Sequence, residues 1–128
     1  MKILGVGTDI VEILRIKNLI KNKSFIKRIF TKSEILNSEK TKSKANYFSK
    51  RFAAKEALVK AIGTGFRKSI NFKDICVVND KLGKPNIQYN NKVKKLIISK
   101  YKIKSFNLFL SLSDEKNYSI AFVIIQQN

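Results

Sequence analysis

Apolar positions along this chain recur with two spacings, every second residue or every third to fourth, and the changes between them mark out the elements. Lys2 to about Ile13 is dense in Ile and Val and reads as a strand, with Gly5 and Gly7 where its backbone can approach a neighbour closely. From Ile16 to Ile29 the apolar residues Ile16, Leu19, Ile20, Ile26 and Ile29 fall near helical spacing. "TKSE", Thr31 to Glu34, has the form of a capping box and predicts the start of a short helix. After the polar stretch "NSEKTKSK" comes the main helix, from about Lys44 to Ile62. It carries an apolar stripe of Phe48, Phe52, Val59 and Ile62, and Gly63 is placed to stop it. "FKDICVVN" and "PNIQYN" predict two strands joined through a turn at Gly83 and Pro85. "NKVKKLIISKY" predicts a helix with Val93, Leu96 and Ile97 on one side, and "FNLFLSLSD" and "YSIAFVII" a hairpin across "DEKN". The expected fold is α+β, an antiparallel sheet packed against helices, in one domain spanning residues 1–128.

Composition narrows the function classes. The chain has 44% hydrophobic and 28% charged residues, which is globular. No apolar run approaches the ~20 residues that span a bilayer. The first fourteen residues make a poor signal peptide, because Asp9 and Glu12 interrupt the apolar patch. One cysteine, Cys76, leaves no intramolecular disulfide and no Cys-cluster zinc site, and reads as a buried strand residue. A cytoplasmic protein without membrane insertion is the expectation. The chain holds 27 Lys and Arg against 9 Asp and Glu, a formal charge of +18, and so attracts polyanions. All but four of those cations, Arg15, Arg28, Arg51 and Arg67, are lysines in an Asn/Lys/Ile-rich background, where many serve only as a solvated surface. There is no histidine, so histidine is excluded as base, nucleophile partner or metal ligand.

The charges within the main helix then stand out. "RFAAKEALVKAIGTG" places Lys55, Glu56 and Lys60 among Ala, Leu, Val and Ile. Glu56 and Lys60 are i and i+4 and share a face; alone, such a pair is an ordinary helix support worth ~0.3 kcal/mol. Phe52 and Val59 flank Glu56 by about one turn on each side, however, so it borders the apolar stripe. Gly63-Thr64-Gly65 follows, and two glycines permit backbone amides to converge on an anion, although the spacing is not that of a P-loop. Asp9, in "GVGTDIVEI", reads either as an exposed turn residue or as a second carboxylate meeting Glu56. Two converging carboxylates repel, and Mg²⁺ shared with substrate phosphates is the natural resolution. Lys60 would then lie beside the same phosphates.

"GVGTDIVEILRI", "FTKSE", "KRFAAKEALVKAIGTG" and "NDKLGKP" resemble, in order and spacing, the holo-acyl-carrier-protein synthases, the short bacterial-type 4′-phosphopantetheinyl transferases. The resemblance covers nearly the whole chain. It implies the 4′-phosphopantetheinyl transferase fold, assembled as a homotrimer with sites between subunits. It implies transfer of 4′-phosphopantetheine from coenzyme A to a serine of apo-acyl carrier protein, releasing adenosine 3′,5′-bisphosphate, in support of fatty acid biosynthesis. By that resemblance Asp9 and Glu56 match the Mg²⁺ ligands, and Lys60 the lysine near the coenzyme A phosphates. Together these three form the catalytic set. Arg51, Lys60, Gly63, Thr64 and Gly65 match the coenzyme-binding positions, and Arg15 and Arg28 those facing the acidic carrier protein. One departure stands out. Many members have His-Val-Ser-Leu-(Ser/Thr) where this chain has Phe109-Leu110-Ser111-Leu112-Ser113, so the histidine's role does not transfer; Phe109 reads first as a core aromatic and second as a ring packed or stacked against the nucleotide.

The mechanism expected on this basis is phosphoryl transfer assisted by Mg²⁺, with Lys60 beside the leaving phosphate. A water on the metal, a carboxylate or a neutral Lys60 must accept the serine proton, and the first is preferred because a free lysine has a pKa near ~10.4. Two rivals remain. A basic nucleic-acid-binding module fits the charge, but no helix-turn-helix spacing, zinc-ligand set or RNP-like strand supports specific nucleic acid recognition. An inactive member of the same fold is suggested by Phe109.

Overall fold

The computed structural model describes residues 1–66 and 70–128. Strand β1, Lys2–Glu12, forms the edge of a three-stranded antiparallel sheet ordered β1-β5-β4, with β4 Phe106–Asp114 and β5 Tyr118–Gln127 as the C-terminal hairpin. A separate two-stranded sheet pairs β2, Ile75–Asn79, with β3, Pro85–Tyr89. Helices α1 Ile13–Leu19, α2 Lys23–Ile29, α3 Lys32–Ser38, α4 Lys44–Ile62 and α5 Asn91–Tyr101 complete the described architecture, so the α+β expectation holds.

Helix α4 runs over the predicted range and organises the core. Its burial is wider than a stripe: Phe48, Phe52, Ala53, Ala54, Ala57, Leu58, Val59, Ala61 and Ile62 are all buried. The small residues let it press against β1, where a Cβ on Gly7 would collide with the carbonyl of Ala57 and one on Gly5 with that of Ala61. The glycines of the first strand therefore admit this helix. Because side chains alternate across a strand, Gly7, Asp9 and Val11 share the helix-facing side while Val6, Thr8 and Ile10 face away.

Two predicted elements divide. The expected helix Ile16–Ile29 is two helices, because the Asn22 side chain accepts the N–H of Ser24 and caps a new start. The expected strand Phe72–Asn79 begins as a 3₁₀ turn, Phe72–Asp74, with the Asp74 carboxylate accepting the N–H of Asn71. Thr31 caps α3 as predicted, and Glu34 closes the box. Phe109 departs from its reading as a core aromatic: it is 49% exposed on the side of β4 away from α4. That side also exposes Val6, Ile10, Ile120 and Phe122, a largely apolar sheet face that no helix among the described residues covers. Cys76 is half-buried on β2, with its sulfur 3.3 Å from the Thr31 hydroxyl.

Candidate active site

The close seating of β1 on α4 is what brings acidic groups together. Asp9 extends from the helix-facing side of β1 with only 15% of its side chain exposed. The Lys60 ammonium donates to Asp9 Oδ1 at 3.0 Å and to the Thr8 carbonyl at 3.1 Å. Glu56, half-buried one turn earlier on α4, has its pKa raised by burial first and then by the negative charge of Asp9; Lys60 and Arg15 pull it back down. Asp9, Glu56, Lys60 and Arg15 therefore share one electrostatic site. Arg15 is exposed at its rim, its guanidinium 5.8 Å from the Phe52 ring centroid. Arg28 is exposed farther along, on α2.

The donor set suits a hard cation. A half-buried carboxylate that also feels the charge of a second is relieved by a divalent ion, and Mg²⁺ needs only one or two protein carboxylates when phosphates and water complete its shell. Among the described residues no group of three or more His, Cys, Asp or Glu side chains forms an all-protein cage.

At the end of α4, Gly63 and Gly65 take φ values of +88° and +67°, which glycine adopts without strain. The N–H of Gly63 is bound to the Val59 carbonyl at 2.9 Å, so an anion at this loop would use the amides that follow it. Thr64 Oγ1 donates to the Gly65 carbonyl at 3.2 Å. Arg67 lies outside the described residues.

Arg51 is not brought to this cluster. Five residues before Glu56, it points from another side of α4 into a cavity of about 630 Å³ shared with Lys40, Lys42, Lys50 and Asn79. It is buried, with its guanidinium 3.7 Å from the Tyr47 ring centroid and Nη2 3.4 Å from Asn79 Oδ1. Its Nε finds no partner among the described residues.

A second buried charge of α4 is Lys55, which sequence reasoning assigned no role. Its ammonium is fully buried and donates to Glu34 Oε1 at 2.7 Å and to the Ile29 carbonyl at 2.8 Å. Glu34 Oε1 also accepts the Thr31 N–H, while Oε2 accepts the Val77 N–H, tying α3, α4 and β2 together. Burial lowers the Lys55 pKa and Glu34 opposes that fall. A signal was present: the helical neighbours Phe52, Leu58 and Val59 surround Lys55 with apolar side chains.

The 4′-phosphopantetheinyl transferase superfamily model matches residues 5–123. The holo-acyl-carrier-protein synthase of Pelagibacter ubique is 60% identical over 127 residues, covering 99% of both chains. The chain belongs to the holo-acyl-carrier-protein synthase family. Crystal structures of family members agree with its fold. That from Neisseria meningitidis superposes with a TM-score of 0.87 at 40% identity, covering 98% of this chain and all of the other. The synthase from Bacillus anthracis, solved in complex with coenzyme A (3′,5′-ADP), gives 0.82 at 33% identity and covers 98% of each chain.

Proposed function

We propose that this chain transfers 4′-phosphopantetheine from coenzyme A to a serine of apo-acyl carrier protein, releasing adenosine 3′,5′-bisphosphate, in the cytoplasm and in support of fatty acid biosynthesis. The observation that carries this reading is the convergence of Asp9 and Glu56, from β1 and α4, on one site with Lys60. Asp9 and Glu56 would hold Mg²⁺. That ion would supply positive charge beside the coenzyme A diphosphate. Lys60, 55% exposed and tethered only at its tip, can swing from Asp9 to a phosphate oxygen as charge builds there. Thr64 and Gly65 offer amides to the nucleotide phosphates from the turn that Gly63 begins. Arg15 and Arg28 present positive charge to the acidic carrier protein.

We further propose that the active species is a homotrimer of single-domain subunits. The uncovered apolar face around Phe122 and Phe109 supports it, since an exposed patch of this kind marks an interaction surface. So does Arg51: the family resemblance gives it a coenzyme-binding role, yet it faces a different cavity, which suits a phosphate of coenzyme A bound mainly by the neighbouring subunit.

The test is mass spectrometry of apo-acyl carrier protein incubated with this chain and coenzyme A, with and without EDTA. A gain of one phosphopantetheine per carrier protein that EDTA abolishes is expected. No gain with metal present would leave the inactive-member reading, and a gain indifferent to EDTA would remove Mg²⁺ from the scheme.

A further inference from the structure

The phosphate-facing loop grows from the wrong end of a helix. A helix C-terminus leaves its last carbonyls without intrahelical partners and carries the negative end of the macrodipole, both adverse to a diphosphate. The N–H of Gly63 satisfies the Val59 carbonyl, but among the described residues no backbone N–H bonds the carbonyls of Ala61 and Ile62. Two side chains from the last turn of α5 cover them. Tyr101 Oη donates to Ala61 O at 3.0 Å and lies 3.5 Å from Ile62 O, and the Lys100 ammonium donates to Ile62 O.

Space for both donors is built into the backbone. A Cβ on Gly63 would stand 2.7 Å from Lys100 Nζ, and one on Gly5 would stand 2.9 Å from Tyr101 Oη while striking the Ala61 carbonyl. Gly63 therefore answers two demands, its left-handed backbone and the room for an ammonium. Burial pushes the Tyr101 phenol up from a value at which it is already protonated near neutral pH, so it donates to these carbonyls.

We propose that Lys100 and Tyr101 are positioning residues for coenzyme A: they cover the carbonyl end of α4, offset its negative dipole and fix the turn at Gly63 from which Thr64 and Gly65 present their amides to the phosphates. This rests on the proposed transferase activity. Neither residue needs to touch the reacting atoms; they act through the loop, at the ground state and the transition state alike. Their loss should weaken coenzyme binding and leave the chemical step nearly intact.

Lys100→Met keeps the length of the side chain and removes its charge and donor. The expected result is a KM for coenzyme A, and a calorimetric Kd for adenosine 3′,5′-bisphosphate, raised roughly 5- to 10-fold, with kcat at saturating coenzyme A within about 2-fold of wild type. Lys100→Arg should bind within about 2-fold of wild type, because it restores a cationic donor. Tyr101→Phe, which deletes one oxygen beside a filled ring, carries the same test should Lys100→Met fail to fold. A lowered melting temperature with unchanged KM and Kd would make the contact a plain helix cap and overturn the proposal. A wild-type chain that fails to bind coenzyme A would instead remove the functional reading itself, and the inference with it.

Discussion

Glu56 is asked to do something that works against the fold. Burial and the charge of Asp9 raise its pKa, so the folded, metal-free chain holds that proton more tightly than the unfolded one. The stability this proton supplies is fully present below the ordinary glutamate pKa and is lost as pH rises through the raised folded value. At pH 8 in EDTA the ionised carboxylate is therefore a cost. Glu56→Gln should raise the melting temperature there while abolishing transfer, whereas at pH 4 the two proteins should melt much closer together. A Gln variant that melts lower than wild type at pH 8 would show that Glu56 is favourably solvated or paired. The same proton competes with the metal, so the apparent KM for Mg²⁺ should rise as pH is lowered toward the raised value. No histidine exists to contribute to that acid limb.

At the scale of elements, α4 serves as both core and site because its charges point different ways. Lys55 is turned into the protein and fastened to Glu34, while Glu56 and Lys60 face β1 and solvent. Breaking a buried pair by removing one partner strands the other charge, a loss of about 3–5 kcal/mol. Lys55→Met should unfold or severely destabilise the chain, and Lys55→Met combined with Glu34→Gln should recover part of that loss in a urea melt. Equal loss in the single and double variants would mean that the backbone bonds to Ile29 and Val77 dominate.

Much of this level was legible in the sequence. Period and caps located α4 and α3 because those signals lie within a few residues of one another. The break at Asn22 falls in the polar run Lys21–Ser24, where the apolar spacing lapses between Ile20 and Phe25; joining the apolar residues on either side passed over that gap and over the side-chain cap within it. The burial of Lys55 and the cover from Lys100 depend on partners 21 and 38 positions away, which no local spacing encodes. Asp9 and Glu56 could be paired from sequence only through the family resemblance and the chemistry of two acids near apolar residues. The different aim of Arg51 required the actual turn of the helix.

For the whole molecule, the +18 charge and the uncovered sheet face make separate demands. The charge should speed encounter with an acidic carrier protein, so kcat/KM for that partner should fall several-fold between about 0.01 and 0.15 M salt, as the screening length shortens from ~30 to ~8 Å. A rate indifferent to salt would assign the lysines to solubility alone. The sheet face should be closed by copies of the same chain. Phe122→Glu, placed near its middle, should convert a trimeric mass in sedimentation to a monomer and lose activity with it; a fully active monomer would end the shared-site proposal. The central claim, that Asp9 and Glu56 jointly hold Mg²⁺ against the coenzyme A diphosphate, is tested most directly by the Mg²⁺ dependence of carrier-protein labelling in Asp9→Asn and Glu56→Gln beside wild type. Saturable Mg²⁺ activation in wild type and a fall on the order of 100-fold or more in each variant is the predicted result. Wild-type rates and Mg²⁺ response in either variant would contradict it.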